Sequence, residues 1–319
     1  MKHRIVHLEA DSLIAALRRP AFAHHWVDYP KTAADEVLGR LAGASIAITN
    51  KVAICAADIA ALPDLRMIAV SATGTNNVDL DACRARGIVV SNIRGYAVHT
   101  VPEHVLAMML SLSRNLFAWR ETVRAGGWQR AEQFCLFDHP IRDLHGATLG
   151  LVGCGSLGNG VARLAEAFGM RVLRAERKGM PVPRPGYTAF DDVLAAADVL
   201  SIHCPLTEQT RHLIGEAELR SMKPSALLIN TARGGIVDEA ALACALREGW
   251  IAGAGFDVLT GEPPTDAQVL LAPELLALPN FLLTPHVAWS SRPAMQVLAD
   301  QLIDNIEAFA AGCPKNVVT

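Results

Sequence analysis

Short apolar runs alternate with amphipathic stretches along the first third of the chain. The runs "RIVHL", "SIAIT", "MIAVSA" and "GIVVSN" predict strands, and "ADSLIAAL", "AADEVLGRL" and "DLDACRARG" have helical spacing. Strands that alternate with helices form parallel sheets with helices on their faces. The pattern therefore predicts a parallel α/β domain.

A helical pattern of about 25 residues, "TVPEHVLAMMLSLSRNLFAWRETVRAGG", follows this domain and stops at Gly126 and Gly127. A second alternating series comes next, with strands predicted at "ATLGLVG", "MRVLRA", "DVLSIHC", "SALLINT", "IAGAGFDV" and "FLLTPHV". This series predicts a second parallel sheet. The tail "RPAMQVLADQLIDNIEAFAAG" is an amphipathic helix that begins after the second series is complete, so we expect it to return to the first domain.

Composition and charge narrow the class of protein. A chain of 319 residues is longer than single cores usually reach, which favours two domains. Its net charge of -3 and the absence of a long basic run argue against a nucleic-acid or membrane-surface partner and favour a small molecule. The seven cysteines contain no C-x-x-C pair, which predicts buried thiols rather than a zinc site or disulfides. The N-terminus lacks the apolar core of a signal peptide, and no apolar run is long enough to span a bilayer, so we expect a cytoplasmic protein.

The stretch "LGLVGCGSLGNGVARLAEAFG" carries a glycine pattern between a predicted strand and a predicted helix. Gly153, Gly155 and Gly158 have the G-x-G-x-x-G spacing, and Glu176 ends the following strand. Such a loop allows a tight turn and brings bare backbone and a helix N-terminus up to a pyrophosphate. The sequence therefore predicts a dinucleotide site.

The residues after the second strand bear on the choice between NAD and NADP. A carboxylate at Glu176 is expected to accept hydrogen bonds from the adenosine ribose diol and to repel a 2′-phosphate. Arg177 and Lys178 follow it, and they are either phosphate contacts or solvated charges. We expect NAD(H) as the main cofactor, with weaker use of NADP(H).

Three polar residues follow predicted strands near the C-terminal edge of the second sheet, where ligands of open α/β sheets bind. Arg233 follows "LLINTA", Glu262 lies in "LTGEPP", and His286 follows "LLTP". Singly, each has an ordinary structural explanation. Together they match hydride transfer to a 2-keto acid, with histidine as proton donor, arginine on the substrate carboxylate, and glutamate favouring the charged imidazole.

The motifs "GLVGCGSLG", "HCPLTEQTRHLI", "LLINTARGGIVDEAAL", "GAGFDVLTGEPP" and "LLTPHVA" resemble, in order and spacing, the D-isomer-specific 2-hydroxyacid dehydrogenase family over almost the whole chain. The resemblance implies catalytic roles for Arg233, Glu262 and His286. It also implies that Arg233 and the backbone N–H groups of Thr73 and Gly74, in "SATGTNNVD", bind the substrate. The implied cofactor contacts are Gly153, Gly155, Ser156, Leu157, Gly158, Glu176, Arg177, Cys204, Pro205, Thr210, Thr231, Ala232, Asp257 and His286.

The same resemblance implies an organisation into two doubly wound parallel-sheet domains and a homodimer. Residues 1–98 with 288–319 are expected to form a flavodoxin-like catalytic domain, and residues 99–287 a Rossmann NAD-binding domain. "GYAVHTVPEHV" and "RDLHGATLGLVG" most resemble the bacterial glycerate dehydrogenases, or hydroxypyruvate reductases. Glu262 stands where the formate dehydrogenase branch has glutamine, and the chain is too short for the regulatory domain frequent in the phosphoglycerate branch. Pro102 replaces the more usual alanine, and we expect a slight change in the nicotinamide pocket.

Alternative functions stay open at this stage. The expected substrate is hydroxypyruvate or glyoxylate, and a broader 2-ketoacid reductase is the nearest alternative. A dinucleotide-sensing scaffold is a more distant one. Trp289, Phe134, Phe137 and Arg292 are candidates for pocket side chains, with plain packing as the other interpretation.

Overall fold

The computed structural model describes residues 2–319, which divide into two compact units. The first unit runs up to Tyr96 and includes Ser290–Thr319, and the second is Ala97–Trp289.

Both units consist of short strands and helices. The strands are β1 (His3–His7), β2 (His24–Asp28), β3 (Ile46–Thr49), β4 (Met67–Val70), β5 (Val89–Ser91), β6 (Thr148–Val152), β7 (Arg171–Arg174), β8 (Val199–Ile202), β9 (Leu227–Asn230), β10 (Gly253–Phe256) and β11 (Phe281–Leu283). The helices are α1 (Val37–Leu41), α2 (Ala56–Ala61), α3 (Leu80–Ala85), α4 (Thr100–Ser113), α5 (Leu116–Arg124), α6 (Gly127–Arg130), α7 (Ser156–Ala167), α8 (Phe190–Ala196), α9 (Glu216–Ser221), α10 (Glu239–Glu248), α11 (Pro273–Leu276) and α12 (Arg292–Ala310). Single 3₁₀ turns cover Ala10–Ser12, Ala34–Glu36 and Val269–Leu271.

The first unit contains a five-stranded parallel sheet in the order β2-β1-β3-β4-β5, the flavodoxin-like order. Every residue of β3 and β4 is buried, as expected for parallel strands covered on both faces. Helix α12 packs against β4, and Asn305 in this helix donates to the carbonyl of Asn92 at 3.0 Å. The C-terminal helix is therefore part of the first unit.

The second unit contains six parallel strands in the order β11-β10-β9-β8-β6-β7. The chain moves from β6 outward to β7 and then crosses back to β8 on the other side of β6, so the strand order reverses between β6 and β8. The carboxyl ends of the strands at such a point form the usual ligand crevice of α/β sheets. The two sheets confirm the predicted fold class of two doubly wound parallel α/β units.

Helices α4 and α7 approach closely within the second unit. A Cβ on Gly160 would lie 2.6 Å from Cγ of Pro102, so the proline ring fills the room that the glycine leaves. Pro102 is buried and lies in the first turn of α4, where a missing N–H costs no helical hydrogen bond.

 

Two helix predictions were wrong, and each has a tertiary cause. The segment 10–17 forms only the 3₁₀ turn Ala10–Ser12. Leu13 is buried but Ile14 is 80% exposed, so the apolar residues of the segment do not share one buried face. Its backbone bonds a side chain of α12 instead: Ala16 donates to Oε1 of Gln296 at 3.1 Å and accepts from Nε2 at 3.0 Å. The apolar residues of this segment have helical spacing, but its backbone bonds α12 and does not form a helix.

The predicted helix of about 25 residues is broken into α4 and α5. The break falls at Asn115, which has φ 51, a left-handed conformation that asparagine tolerates better than most residues. Its side-chain amide donates to the carbonyl of Pro140 at 2.5 Å.

Strand β2 and helix α2 were not predicted. The residues of β2 are only partly buried, and its sequence, "HHWVD", is polar.

The cysteine prediction was also wrong in part. All seven cysteines are free, but Cys55, Cys244 and Cys313 are exposed rather than buried. The thiol of Cys55 lies 3.0 Å from Oδ2 of Asp58 at the start of α2, where a polar partner is available at the surface. Across residues 2–319, no helix is long and apolar enough to cross a membrane, and no cluster of His, Cys, Asp and Glu is arranged to hold a metal ion.

Candidate active site

The glycine loop joins β6 to α7 at the point where the strand order reverses. Gly153 has φ 96, and a Cβ there would lie 2.5 Å from the backbone nitrogen of Cys204. A Cβ on Gly158 would lie 2.1 Å from the carbonyl oxygen of Gly153, so only glycine allows the helix to start against the turn. Gly155 is different, because nothing lies within 4 Å of the position of its Cβ.

The open space at Gly155 fits the pyrophosphate of a dinucleotide. Gly155 is the N-cap of α7, and the first helical hydrogen bond of this helix runs from Asn159 to Gly155. The N–H groups of Ser156, Leu157 and Gly158 therefore have no helical partner, and the helix dipole adds partial positive charge at this end. A bare backbone face and free donors are what a pyrophosphate needs.

Glu176 follows β7, at the position predicted for the ribose contact. Its side chain is only 2% exposed. Oε1 accepts from the backbone N–H of Arg177 at 2.8 Å, and Oε2 from the backbone N–H of Arg184 at 3.0 Å. The Arg184 guanidinium binds both oxygens, with Nε 2.7 Å from Oε2 and Nη2 2.8 Å from Oε1. These hydrogen bonds, with the guanidinium of Arg184 the largest cause, lower the pKa of Glu176 to about 2.

The two bases after Glu176 have different surroundings. Nζ of Lys178 lies 2.7 Å from Oε1 of Glu218, so this lysine is paired with α9. Arg177 is exposed, and its side chain forms no ion pair within residues 2–319. Of these two bases, only Arg177 has no carboxylate partner among the described residues and could bind a phosphate without breaking an ion pair.

His286 and Glu262 form a hydrogen-bonded pair. Nδ1 of His286 bonds Oε2 of Glu262, and the two side chains are 25% and 30% exposed. Oε1 of Glu262 accepts from the backbone N–H of Leu259 at 2.9 Å, which fixes the carboxylate from its other side. Nε2 is left as the imidazole nitrogen that faces away from the glutamate. A cavity of about 400 Å³ borders the pair.

A buried carboxylate holds the loop that carries His286. Asp257, the residue after β10, is 1% exposed. Its oxygens accept from Oγ1 of Thr284 at 2.5 Å and from the backbone N–H groups of Val287 and Ala288, both at 2.9 Å. His286 has φ 55, a strained conformation for a residue with a Cβ, and hydrogen bonds on both sides of it maintain this conformation.

Arg233 lies in the loop after β9. The side chain of Asn230 brackets this loop, because it accepts from the N–H of Ala232 at 3.0 Å and donates to the carbonyl of Arg233 at 2.9 Å. A Cβ on Gly234 would lie 2.0 Å from the carbonyl oxygen of Leu259, so the loops after β9 and β10 pack directly on each other. Since β9, β10 and β11 are parallel neighbours, Arg233, Glu262 and His286 all follow strand ends at one edge of this sheet.

The remaining predicted contacts of the second unit lie in the loops after β8 and β9. Thr210 closes the first loop, with its hydroxyl 2.7 Å from the carbonyl of Pro205. Burial raises the pKa of the Cys204 thiol to about 11. The hydroxyl of Thr231 is a buried polar atom with no hydrogen-bond partner in the described chain, beside Ala232.

Thr73 and Gly74 belong to the first unit. They lie in the loop after β4, where Oγ1 of Thr73 donates to the carbonyl of Ile93 at 2.8 Å and the carbonyl of Thr73 accepts from Asn92 at 2.8 Å. These bonds fix the loop and are made within the first unit.

The candidate pocket side chains have separate surroundings. Phe134 and Phe137 are 90% and 83% exposed, so neither packs in a core. Trp289 donates its indole N–H to the carbonyl of His286 at 3.0 Å. Arg292 is exposed at the start of α12. Arg184, which binds Glu176, was not among the predicted site residues; its only signal in the sequence is a basic residue in the loop that follows Glu176.

Comparison with known proteins adds the family. Residues 106–288 match the D-isomer specific 2-hydroxyacid dehydrogenase, NAD binding domain. The chain is 49% identical over its whole length to a glycerate dehydrogenase of Methylorubrum extorquens, covering 99% of that protein. It is 38% identical to a glyoxylate reductase of Thermococcus litoralis over 80% of this chain and 77% of that protein.

Among solved structures, an acyclic imino acid reductase in complex with NADPH and D-Arg has a similar fold. Its TM-score is 0.82 at 27% identity, covering 99% of this chain and 100% of that one. The family match spans more than half of the chain, and the full-length identity extends it to both units. The chain therefore belongs to the D-isomer specific 2-hydroxyacid dehydrogenase family and is an NAD-dependent oxidoreductase.

Proposed function

We propose that the chain reduces hydroxypyruvate or glyoxylate to the corresponding 2-hydroxy acid, of D configuration where chiral, and catalyses the reverse oxidation. The hydrogen bond between His286 and Glu262, at the sheet edge that also carries Arg233, is the observation that supports this most directly. The glycerate dehydrogenase and glyoxylate reductase that the chain resembles support the substrate class.

The proposed mechanism gives each residue one task. A bound nicotinamide cofactor supplies the hydride. With Nδ1 bonded to Glu262, protonated His286 donates its Nε2 proton to the ketone oxygen as negative charge develops there. Glu262 orients the ring through its hydrogen bond to Nδ1.

Arg233 completes the proposed site by holding the substrate. Its planar guanidinium suits a carboxylate, and the Asn230 bracket limits how far the loop moves. By family resemblance, the N–H groups of Thr73 and Gly74 are assigned to the same carboxylate.

A substrate panel tests the proposal. We expect kcat/KM with NADH to be at least tenfold higher for hydroxypyruvate or glyoxylate than for pyruvate. Values within tenfold for all three acids would indicate a broader 2-ketoacid reductase. No turnover of any acid by a protein that binds NADH would favour the scaffold alternative.

We also propose that two copies associate through the segment 116–141. Several large apolar side chains are exposed there, including Phe117 at 43%, Trp128 at 51%, Phe134 and Phe137. Exposed apolar patches are typical of protein contacts. Light scattering should give a dimer mass for the parent and a monomer mass for the Phe134→Ser/Phe137→Ser variant. A monomeric parent would refute the homodimer.

The cytoplasm is the proposed compartment. The free, exposed thiols of Cys55, Cys244 and Cys313 are typical of a reducing environment. Cell fractionation tests this, and recovery of the chain outside the cytoplasm would contradict it.

A further inference from the structure

The carboxylate that would receive the adenosine ribose already has strong partners. All the hydrogen bonds of Glu176 described above come from Arg177 and Arg184, and two of them come from the forked guanidinium of Arg184. The positive charge of the guanidinium offsets the negative charge of the carboxylate. The electrostatic repulsion between Glu176 and a nearby phosphate is therefore weak. Glu176 therefore lacks the free charge that repels a 2′-phosphate in NAD-specific sites.

Arg184 is also placed to act as a donor. Its side chain is 53% exposed, and Cζ lies 4.2 Å from the ring centroid of Tyr187, which supports the guanidinium from one face. Nε and Nη2 bond Glu176, while Nη1 makes no hydrogen bond within residues 2–319. Arg177, exposed and without an ion pair, is the neighbouring residue to Glu176. The predicted ribose contact, Glu176, therefore has one carboxylate and is adjacent to two arginines, Arg177 and Arg184.

We propose that Arg184 is a specificity-determining residue for the cofactor: by pairing with Glu176 and offering a free N–H face, it lets the site accept the 2′-phosphate of NADPH. The parent then binds NADPH at least as tightly as NADH. This differs from the sequence-based expectation of NAD(H) as the main cofactor with weaker use of NADP(H). It depends on the family's dinucleotide site and not on which keto acid is reduced.

Cofactor binding without substrate tests the proposal. Fluorescence titration of the full chain gives Kd for NADH and for NADPH, and their ratio is the readout. In Arg184→Ala we expect the ratio Kd(NADH)/Kd(NADPH) to fall at least fivefold, because the uncovered carboxylate of Glu176 repels the phosphate and accepts the ribose diol. A smaller change, or a parent that binds NADPH more weakly than NADH, overturns the proposal.

Arg220 provides a matched control. It is 51% exposed, donates from Nε to Oε1 of Glu216 at 2.8 Å, and has Cζ 3.4 Å from the ring centroid of Trp250. Arg220→Ala removes the same charge from a similar environment and should leave the ratio within twofold of the parent. An equal fall in both variants would mean that total charge, not Arg184, sets the preference.

A double variant tests whether the charge of Glu176 is what weakens NADPH binding in Arg184→Ala. Glu176→Gln combined with Arg184→Ala removes the repelling charge, so NADPH binding should recover relative to Arg184→Ala alone. Failure to recover would refute the role of Glu176. Thermal unfolding of each variant verifies that it folds, and Arg184→Gln replaces Arg184→Ala, under the same fivefold criterion, if the alanine variant does not. Since no keto acid is present, these results stand even if the proposed substrates are wrong.

Discussion

Replacement of Glu262 by glutamine removes the charge beside His286 but keeps the shape of the side chain. The glutamine oxygen can still accept from the N–H of Leu259, as Oε1 of Glu262 does at 2.9 Å. Hydrogen bonds to charged groups contribute about 1.5–3 kcal/mol. Because the histidine and glutamate are 25% and 30% exposed, solvent screens the pair, and we take about 1.5 kcal/mol. At 1.36 kcal/mol for each tenfold change, this corresponds to about a tenfold change in rate.

The loss should fall on proton transfer, because Glu262 holds Nδ1 of His286 and thereby fixes the direction of Nε2. We therefore expect kcat for ketone reduction to fall about tenfold in Glu262→Gln, while Kd for NADH stays near the parent's. The assay is initial-rate reduction at saturating NADH, with Glu274→Gln, a carboxylate paired with Arg247, as the control. An unchanged kcat for Glu262→Gln would refute the role of the pair.

Three further changes test the other parts of the site. His286→Asn should lower kcat for reduction by about 10²–10⁴-fold with Kd for NADH little changed, as expected when a general acid is lost, and an unaltered kcat would exclude His286. Arg233→Ala should lower kcat and raise the keto-acid KM together, because one guanidinium provides both orientation and charge; a KM effect alone would reduce its role to binding. Asp257→Asn should weaken the loop 284–288 by about 1–3 kcal/mol, since an amide cannot accept all three of its hydrogen bonds, and should lower Tm by about 2–10 °C together with kcat. An unchanged Tm would show that the loop is held elsewhere.

Much of the fold could be predicted because buried parallel strands appear in the sequence as short apolar runs. All residues of β4 are buried, and the strand is an apolar run between Arg66 and Ser71. Strand β2 has no such run, since its residues are half-exposed at the edge of the sheet. The break at Asn115 depends on the carbonyl of Pro140, 25 residues away, and no local pattern contains that contact.

The candidate site could likewise be predicted only in part from the sequence. The glycine spacing predicted the loop because close backbone approaches demand glycine, as the 2.1 Å between a Cβ on Gly158 and the Gly153 oxygen makes clear. Positions after β9, β10 and β11 could be selected because polar residues beyond parallel strand ends share one edge. Asp257 was selected as a cofactor contact, and the hydrogen bonds that it makes to the His286 loop required the structure.

The surroundings of Glu176 explain why a local motif is a weak guide to cofactor choice. The motif identifies the acid, but its effect on a 2′-phosphate depends on whether the carboxylate is free. Here the chain leaves β7, turns through Gly179 and Gly186, both at positive φ, and returns so that Thr188 pairs with Ala175. This return brings Arg184 onto Glu176 from eight residues along the chain, a distance that neither helical nor strand periodicity records. A shift of preference in Arg184→Ala, with none in Arg220→Ala, would show that the conformation of this loop, rather than the acid alone, sets the choice between NADH and NADPH.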